Sequence, residues 1–254
     1  MKILVTFAVE TEFAPWKKAL KLRARVGDGV AIHQSEIGGV NVDFVVTGMG
    51  AENASRCAEI LMRKSYDLVI AAGFAGALRS DLNAGEVIAS SAVQQLNSRQ
   101  TINSNRDLVA RAAAIGAKII ETLVSVDNIV ATAEQKSQLA PFANAADMES
   151  FAILSAANTH SIPAVAIRVI SDSLQQDLPA GVDALVNDAG GVHVPGVVKY
   201  FAGHPLAVPA VLRLGRRSKS AAETLKRFLE SYIRSLLVAP DIQPREELEG
   251  VAAR

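Results

Sequence analysis

Short apolar, β-branched runs alternate with stretches of helical periodicity along this chain, and that alternation limits the fold more than any other feature. Strands are expected over residues 3–9, 42–47, 68–72, 86–93, 123–126 and 164–170. Helical patterns occupy 12–20, 51–63, 106–115, 133–139 and 149–159. Strand–helix alternation of this kind predicts an α/β protein with a largely parallel sheet and helices on both faces. Residues 30–37 and 40–46, joined by Gly38-Gly39, read as an antiparallel hairpin, so the sheet is expected to be mixed. A stretch rich in Gly, Asp and Asn, 179–195, reads as a loop with a short hairpin. A long helical region follows over about 206–237, with Pro205 and Pro209 at its start and Gly215 as a candidate interruption. The expected organisation is one domain over 1–240 and a polar, frayed tail over 241–254.

With 254 residues the chain can build one large α/β domain or at most two small ones. It is 50% hydrophobic but only 5% aromatic, so its core is expected to be aliphatic. Basic and acidic residues balance at 26 each, which argues against a general nucleic-acid binder with its basic surplus. The first residues, Met1-Lys2-Ile3-Leu4-Val5, read as a strand rather than a signal peptide, and no segment approaches the roughly 20 apolar residues of a membrane span. Cys57 is the single cysteine and sits in a helical context, which excludes an intrachain disulfide; a cytoplasmic location is expected. Charge is uneven: residues 199–234 hold eight basic side chains against Glu223 and Glu230. That excess reads either as a solvated helix face or as a surface that touches anionic lipid or guides an apolar substrate.

In an apolar, charge-neutral chain, carboxylates beside buried elements need a reason, because desolvating an unpaired charge is costly. Ala146-Asp147-Met148-Glu149 and Arg168-Val169-Ile170-Ser171-Asp172 frame an expected helix and buried strand, placing Glu149, Arg168 and Asp172 at the ends of one α/β unit. Gly73-Phe74-Ala75-Gly76-Ala77-Leu78 follows a strand and is expected to open a turn at its carboxyl end, where α/β sheets bind ligands, although tight turns need glycine in any case. Gly48-Met49-Gly50 is similar, and the dinucleotide fingerprint fails because residue 53 is Asn. Glu10 and Glu12 fall at an expected helix N-terminus, where negative charge is favourable by itself, and Asp172 also reads as an N-cap. The four histidines lack zinc-ligand spacing, and neither a Walker motif nor a GxSxG elbow is present, so no metal and no cofactor are expected.

Taken in order, Ala8-Val9-Glu10-Thr11-Glu12, Thr47-Gly48-Met49-Gly50, residues 73–78, Ser125-Val126-Asp127, Asp147-Met148-Glu149 and residues 168–172 resemble the nucleoside phosphorylase and methylthioadenosine/S-adenosylhomocysteine nucleosidase superfamily. Leu178-Pro179, Asn187-Asp188-Ala189-Gly190-Gly191, His204-Pro205 and Val211-Leu212-Arg213-Leu214 resemble, more loosely, its hopanoid-associated phosphorylase branch, implicated in removing adenine from adenosylhopane. The resemblance implies a phosphorylase/hydrolase-like three-layer α/β sandwich with a mixed central sheet, a homo-oligomer (often a dimer), and cleavage of a purine nucleoside by water or phosphate. It implies Asp172 as the general acid toward N7 of the purine, with Ser171 steadying it. Glu149 and Met148 match the ribose-binding pair, and Glu12, with Arg168 beside it, the carboxylate that positions the attacking water. Ile129 and Val130 fall where nucleosidases line the base pocket, and Phe74, Ala75 and Gly50 where the sugar or the nucleophile is met.

Three departures stand out. Phe74 replaces a small hydroxyl residue, Ile129 stands where an aromatic often stacks on adenine, and no arginine of the phosphate-binding kind precedes Gly73. Breaking the ribose–base bond requires an acid for the leaving base and a carboxylate-rich site for the oxocarbenium-like sugar. Asp172 must therefore hold a proton near neutrality, while Glu149 is expected to stay ionised. If phosphate attacks, residues 47–50 and the Gly73 turn are the available backbone donors. The expected substrate is an adenosine derivative with an apolar 5′ group. The alternatives are methylthioadenosine, S-adenosylhomocysteine or futalosine as substrate, a non-catalytic nucleoside binder, or a peripheral membrane scaffold.

Overall fold

The opening residues Ile3, Leu4, Val5, Thr6 and Phe7 are all buried, which is the pattern of a strand covered on both faces. A computed structural model of the chain, describing residues 1–179 and 208–237, places them in β1 (Lys2–Phe7), followed by α1 (Glu10–Ala19). There follow β2 (Arg23–Gly27), β3 (Val30–Ile37), β4 (Val40–Val46), α2 (Ala51–Leu61), β5 (Leu68–Ala77), β6 (Val87–Gln95) and β7 (Thr101–Asn103). The remainder is α3 (Arg106–Ala114), β8 (Lys118–Ser125), α4 (Ala133–Leu139), β9 (Ala145–Asp147), α5 (Ser150–Thr159), β10 (Ala164–Asp172) and α6 (Val208–Ser235).

The strands form one mixed sheet in the order β10-β6-β8-β9-β5-β1-β4-β3-β2, with β7 on β6. A further pairing of β10 with β5 closes β5, β10, β6, β8 and β9 into a ring, while β1 to β4 extend it as an open wing. The sheet is mixed as expected, and the β3–β4 hairpin pairs Ile37 with Val40 across Gly38-Gly39.

Alternate strand residues feed two cores. On one face α2 and α5 bring Cys57, Leu61, Ile153 and Leu154 against Leu4, Val45 and Val69. On the other, α1, α3 and α6 bring Phe13, Trp16, Leu108, Leu225, Leu229 and Tyr232 against Ile3, Val5, Ile70 and Ile167. The result is a helix–sheet–helix sandwich. The second core is less aliphatic than composition predicts, because Phe7, Phe13, Trp16 and Phe44 cluster there.

Two local expectations change. Residues 73–77 open no turn: they continue β5, because Gly73, Phe74 and Ala75 pair with Arg168, Val169 and Ile170 of β10 and the last two residues pair with β9. Gly215 does not interrupt α6, which runs 28 residues, and nothing lies within 4 Å of where its Cβ would stand. In this helix Leu212 is 56% exposed, beside exposed Arg213, Arg216 and Arg217. The expected loop over 179–195, save Pro179, and the tail over 241–254 lie outside the described residues. Among the described residues no helix is long and apolar enough to cross a membrane.

Candidate active site

Three carboxylates converge where the carboxyl ends of β1, β5 and β10 meet β9. Glu12 lies in the first turn of α1 and folds back onto the β1–α1 junction. Its Oε2 accepts from the N–H groups of Ala8 (2.8 Å) and Val9 (3.1 Å), and its Oε1 from the N–H of Phe74 on β5 (2.7 Å). Burial pushes the Glu12 carboxyl above its ordinary range, against the opposing pull of Arg168 and those three donors.

Glu149 immediately precedes α5, and its Oε1 accepts from the N–H of Gly50 at 2.7 Å. Gly50 can aim that N–H because its φ is +91°, a conformation that glycine adopts without steric cost. Burial pushes Glu149 up to about 8; Arg168 pulls it down, and Asp147 and Glu12 push it further up. For a carboxyl expected to stay ionised, burial thus works in favour of the neutral form.

Arg168, 2% exposed, lies behind these groups. Its Nη2 is 2.5 Å from Asp147 Oδ2 and its Nη1 is 3.9 Å from Glu149 Oε2. It also donates to Ser150 Oγ (2.8 and 3.1 Å) and to the Ala72 carbonyl (3.2 Å). Asp147 is held in turn by Ser125 Oγ (2.6 Å) and the Ser150 N–H (3.0 Å). Gly73 makes room for this packing, since a Cβ there would stand 2.3 Å from Arg168 Nη1 and 2.7 Å from Glu12 Oε1.

Asp172 ends β10 just past an irregularity: Ile170 pairs with Ala75, but Asp172 pairs with Gly76, leaving Ser171 as the extra residue of a bulge. Bulges re-aim side chains next to active sites. Ser171 Oγ donates to Asp172 Oδ1 at 2.5 Å. Asp172 Oδ2 lies 2.5 Å from Lys136 Nζ, an ion pair between two buried groups. Lys136 is fully buried and is the one buried side chain of α4.

These groups line a cavity of about 190 Å³. Glu12, Asp147, Glu149, Ser171, Asp172 and Lys136 form its polar wall, and Phe74, Leu78, Val126, Ile129, Val130, Met148 and Leu178 its apolar one. Four buried carboxyls thus face two buried cations, Arg168 and Lys136. That excess of carboxyl groups suits a ligand that develops positive charge.

The sequence profile of the phosphorylase superfamily matches residues 2–191. The chain belongs to the phosphorylase superfamily. A 5′-methylthioadenosine/S-adenosylhomocysteine nucleosidase from Shewanella pealeana is 27% identical over 216 residues, covering 75% of this chain and 94% of that protein. One of the same name from Maridesulfovibrio salexigens is 29% identical over 170 residues, covering 57% and 74%. The Neisseria meningitidis 5′-methylthioadenosine/S-adenosylhomocysteine nucleosidase, solved with methylthio-immucillin-A, superposes with a TM-score of 0.71 at 19% identity, covering 92% of this chain and 99% of that one. Futalosine hydrolase of Helicobacter pylori superposes equally well, at 0.71 and 17% identity, covering 92% and 97%.

On this phosphorylase-superfamily frame, Glu12, Phe74, Ala75, Ile129, Val130, Met148, Glu149, Ser171 and Asp172 all line the cavity. Gly50 does not, and reaches the site only through its bond to Glu149. Arg168 does not either: it buttresses Asp147 and Glu149 from behind and stands beside Glu12 across Gly73. Sequence reasoning assigned no role to Lys136, Asp147 or Ser150. A lysine among the polar residues of a short helix reads as solvated, and nothing in the sequence signals otherwise. Asp147 and Ser150, flanking an already recognised motif, could have been suspected from their position.

Proposed function

We propose that the N-glycosidic bond this enzyme cleaves is that of an adenosine derivative with an apolar 5′ group, and that water is the nucleophile. The observation that carries the reading is the pairing of Glu12 and Glu149 with Asp172 across one largely apolar cavity. Cleaving the bond from C1′ to N9 leaves positive charge on the sugar and negative charge on the base. Glu149, ionised, accepts hydrogen bonds from the ribose hydroxyls. Glu12 orients water and takes its proton, a task for which a carboxyl raised by burial is better suited than an ordinary one. Asp172, positioned by Ser171, passes a proton to the departing base. Arg168 keeps Asp147 and Glu149 in place, and the apolar wall around Ile129 and Val130 packs the purine without an aromatic stack.

Water is favoured over phosphate by the accounting of donors. Two of the backbone groups an anion would use are already committed, the Gly50 N–H to Glu149 and the Phe74 N–H to Glu12. Among the described lining residues Lys136 is the one cation, and it is paired with Asp172. The names of the two nucleosidase relatives support the purine nucleoside class. The apolar 5′ group, of which adenosylhopane is the extreme case, rests on the apolar lining and on the resemblance of the C-terminal motifs.

The test is chromatographic detection of adenine released from adenosine, methylthioadenosine and a long-chain 5′-alkyl adenosine, each with and without phosphate. Adenine without phosphate, fastest from an apolar 5′ derivative, is the expected result. Ribose 1-phosphate products with strict phosphate dependence would replace water by phosphate. Nucleoside binding with no base release would make the protein a binder.

A further inference from the structure

We propose that Lys136 supplies the proton that Asp172 delivers to the leaving purine. The inference rests on the nucleosidase reading above. Its basis is geometric. Lys136 is 0% exposed, and it is the single fully buried side chain of a helix of seven residues. Burying an ammonium group is costly unless every N–H is used. Here Nζ donates to the carbonyls of Ser173 (2.9 Å) and Gln176 (2.7 Å) and stands 2.5 Å from Asp172 Oδ2. The helix is built for this placement: Thr132 and Gln135 cap it reciprocally, and Asp177 Oδ1 accepts from the Ala133 N–H at 2.7 Å. The two carbonyls fix the ammonium against Asp172 Oδ2. An ammonium in such close contact with a carboxylate, in the wall of the cavity, is the arrangement of a proton path.

In the proposed step a proton passes from Lys136 Nζ to Asp172 Oδ2 and from Asp172 to N7 of the purine. The electron pair of the C1′–N9 bond goes to the base as the bond breaks. The water oxygen bonds to C1′ and its proton passes to Glu12. Lys136 ends as a neutral amine, Asp172 as a carboxylate and Glu12 as a carboxylic acid. Release of the products returns the Glu12 proton to solvent and solvent reprotonates Lys136, so no other reactant is consumed.

The test compares wild type, Lys136→Arg and Lys136→Met on methylthioadenosine and on 4-nitrophenyl β-D-ribofuranoside, whose phenolate leaves without a proton. Arginine keeps the charge and the donors but does not give up a proton, whereas methionine keeps only the shape. Both variants are expected to lose about 10²-fold or more in kcat on methylthioadenosine. They should bind it within about 3-fold of the wild-type affinity and cleave the aryl riboside within about 3-fold of the wild-type rate. Full nucleoside activity in Lys136→Arg would overturn the proposal, because charge alone would then suffice. Parallel losses on both substrates, or a loss of binding in both variants, would also overturn it and make Lys136 a structural anchor. Failure of the wild type to release adenine would refute the nucleosidase reading itself, a separate outcome.

Discussion

Glu149 shows how one side chain can be legible as to identity and opaque as to state. Its place beside Met148 marked it for the ribose, but its protonation depends on burial among Asp147, Glu12 and Arg168, none adjacent in sequence except the first two positions away. Since kcat/KM reports the free enzyme, a carboxyl that must be ionised to accept from two hydroxyls makes this parameter rise with pH up to about 8. Glu149→Gln is expected to remove that limb and to cost ribonucleosides about 10-fold or more, while 2′,3′-dideoxynucleosides lose little. Steady-state kinetics on matched substrates decide this, and equal losses for both would take Glu149 away from the sugar.

At the scale of elements, the site depends on β5 and β10 pairing in one register. Gly73 opposite Arg168 is the position where that register leaves no space for a side chain. Gly73 also has a φ of +151°, so an alanine there is strained as well as crowded. Gly73→Ala is expected to displace Arg168 and Glu12, lowering kcat by about 10-fold or more and stability by roughly 1–3 kcal/mol. Activity assays with thermal melts would show both; a variant with unchanged kcat would mean that the buttress can move freely. The element boundaries that sequence reasoning missed share a cause. β9 is three residues long and largely alanine, and β2 is an edge strand with four exposed positions, so neither has a hydrophobic pattern to read. The strand continuation through residues 73–77 was hidden because glycine and alanine signal a turn locally, whereas pairing with β9 and β10 decides the matter.

For the whole molecule, the carboxyl excess links folding to pH. Glu149, at about 8 in the folded chain against an ordinary 4.5, binds a proton in the native state across a window where the unfolded chain has lost it. Stability from this group is therefore present at low pH and lost as pH rises through that window. Glu12 acts in the same sense, and His33, pushed below 6.5 by burial, acts in the opposite one. The melting temperature is expected to fall between pH 7 and 8.5, and Glu149→Gln should flatten the decline; calorimetry across that interval checks it. A wild-type melting temperature that rises over the interval would contradict the burial of Glu149.

Sequence alone determined the order of the longer strands and helices, the β3–β4 hairpin and the carboxylates grouped beside strand ends, because periodicity and local motifs are properties of neighbouring residues. It also determined the superfamily, through motifs whose spacing survives where overall identity is low. Closure of the sheet into a ring, the bulge that aims Asp172 and the burial of Lys136 were decided only by tertiary structure. Each depends on residues far apart in the chain, 96 positions for Ser171 against Ala75 and 36 for Lys136 against Asp172, whose meeting no local pattern encodes.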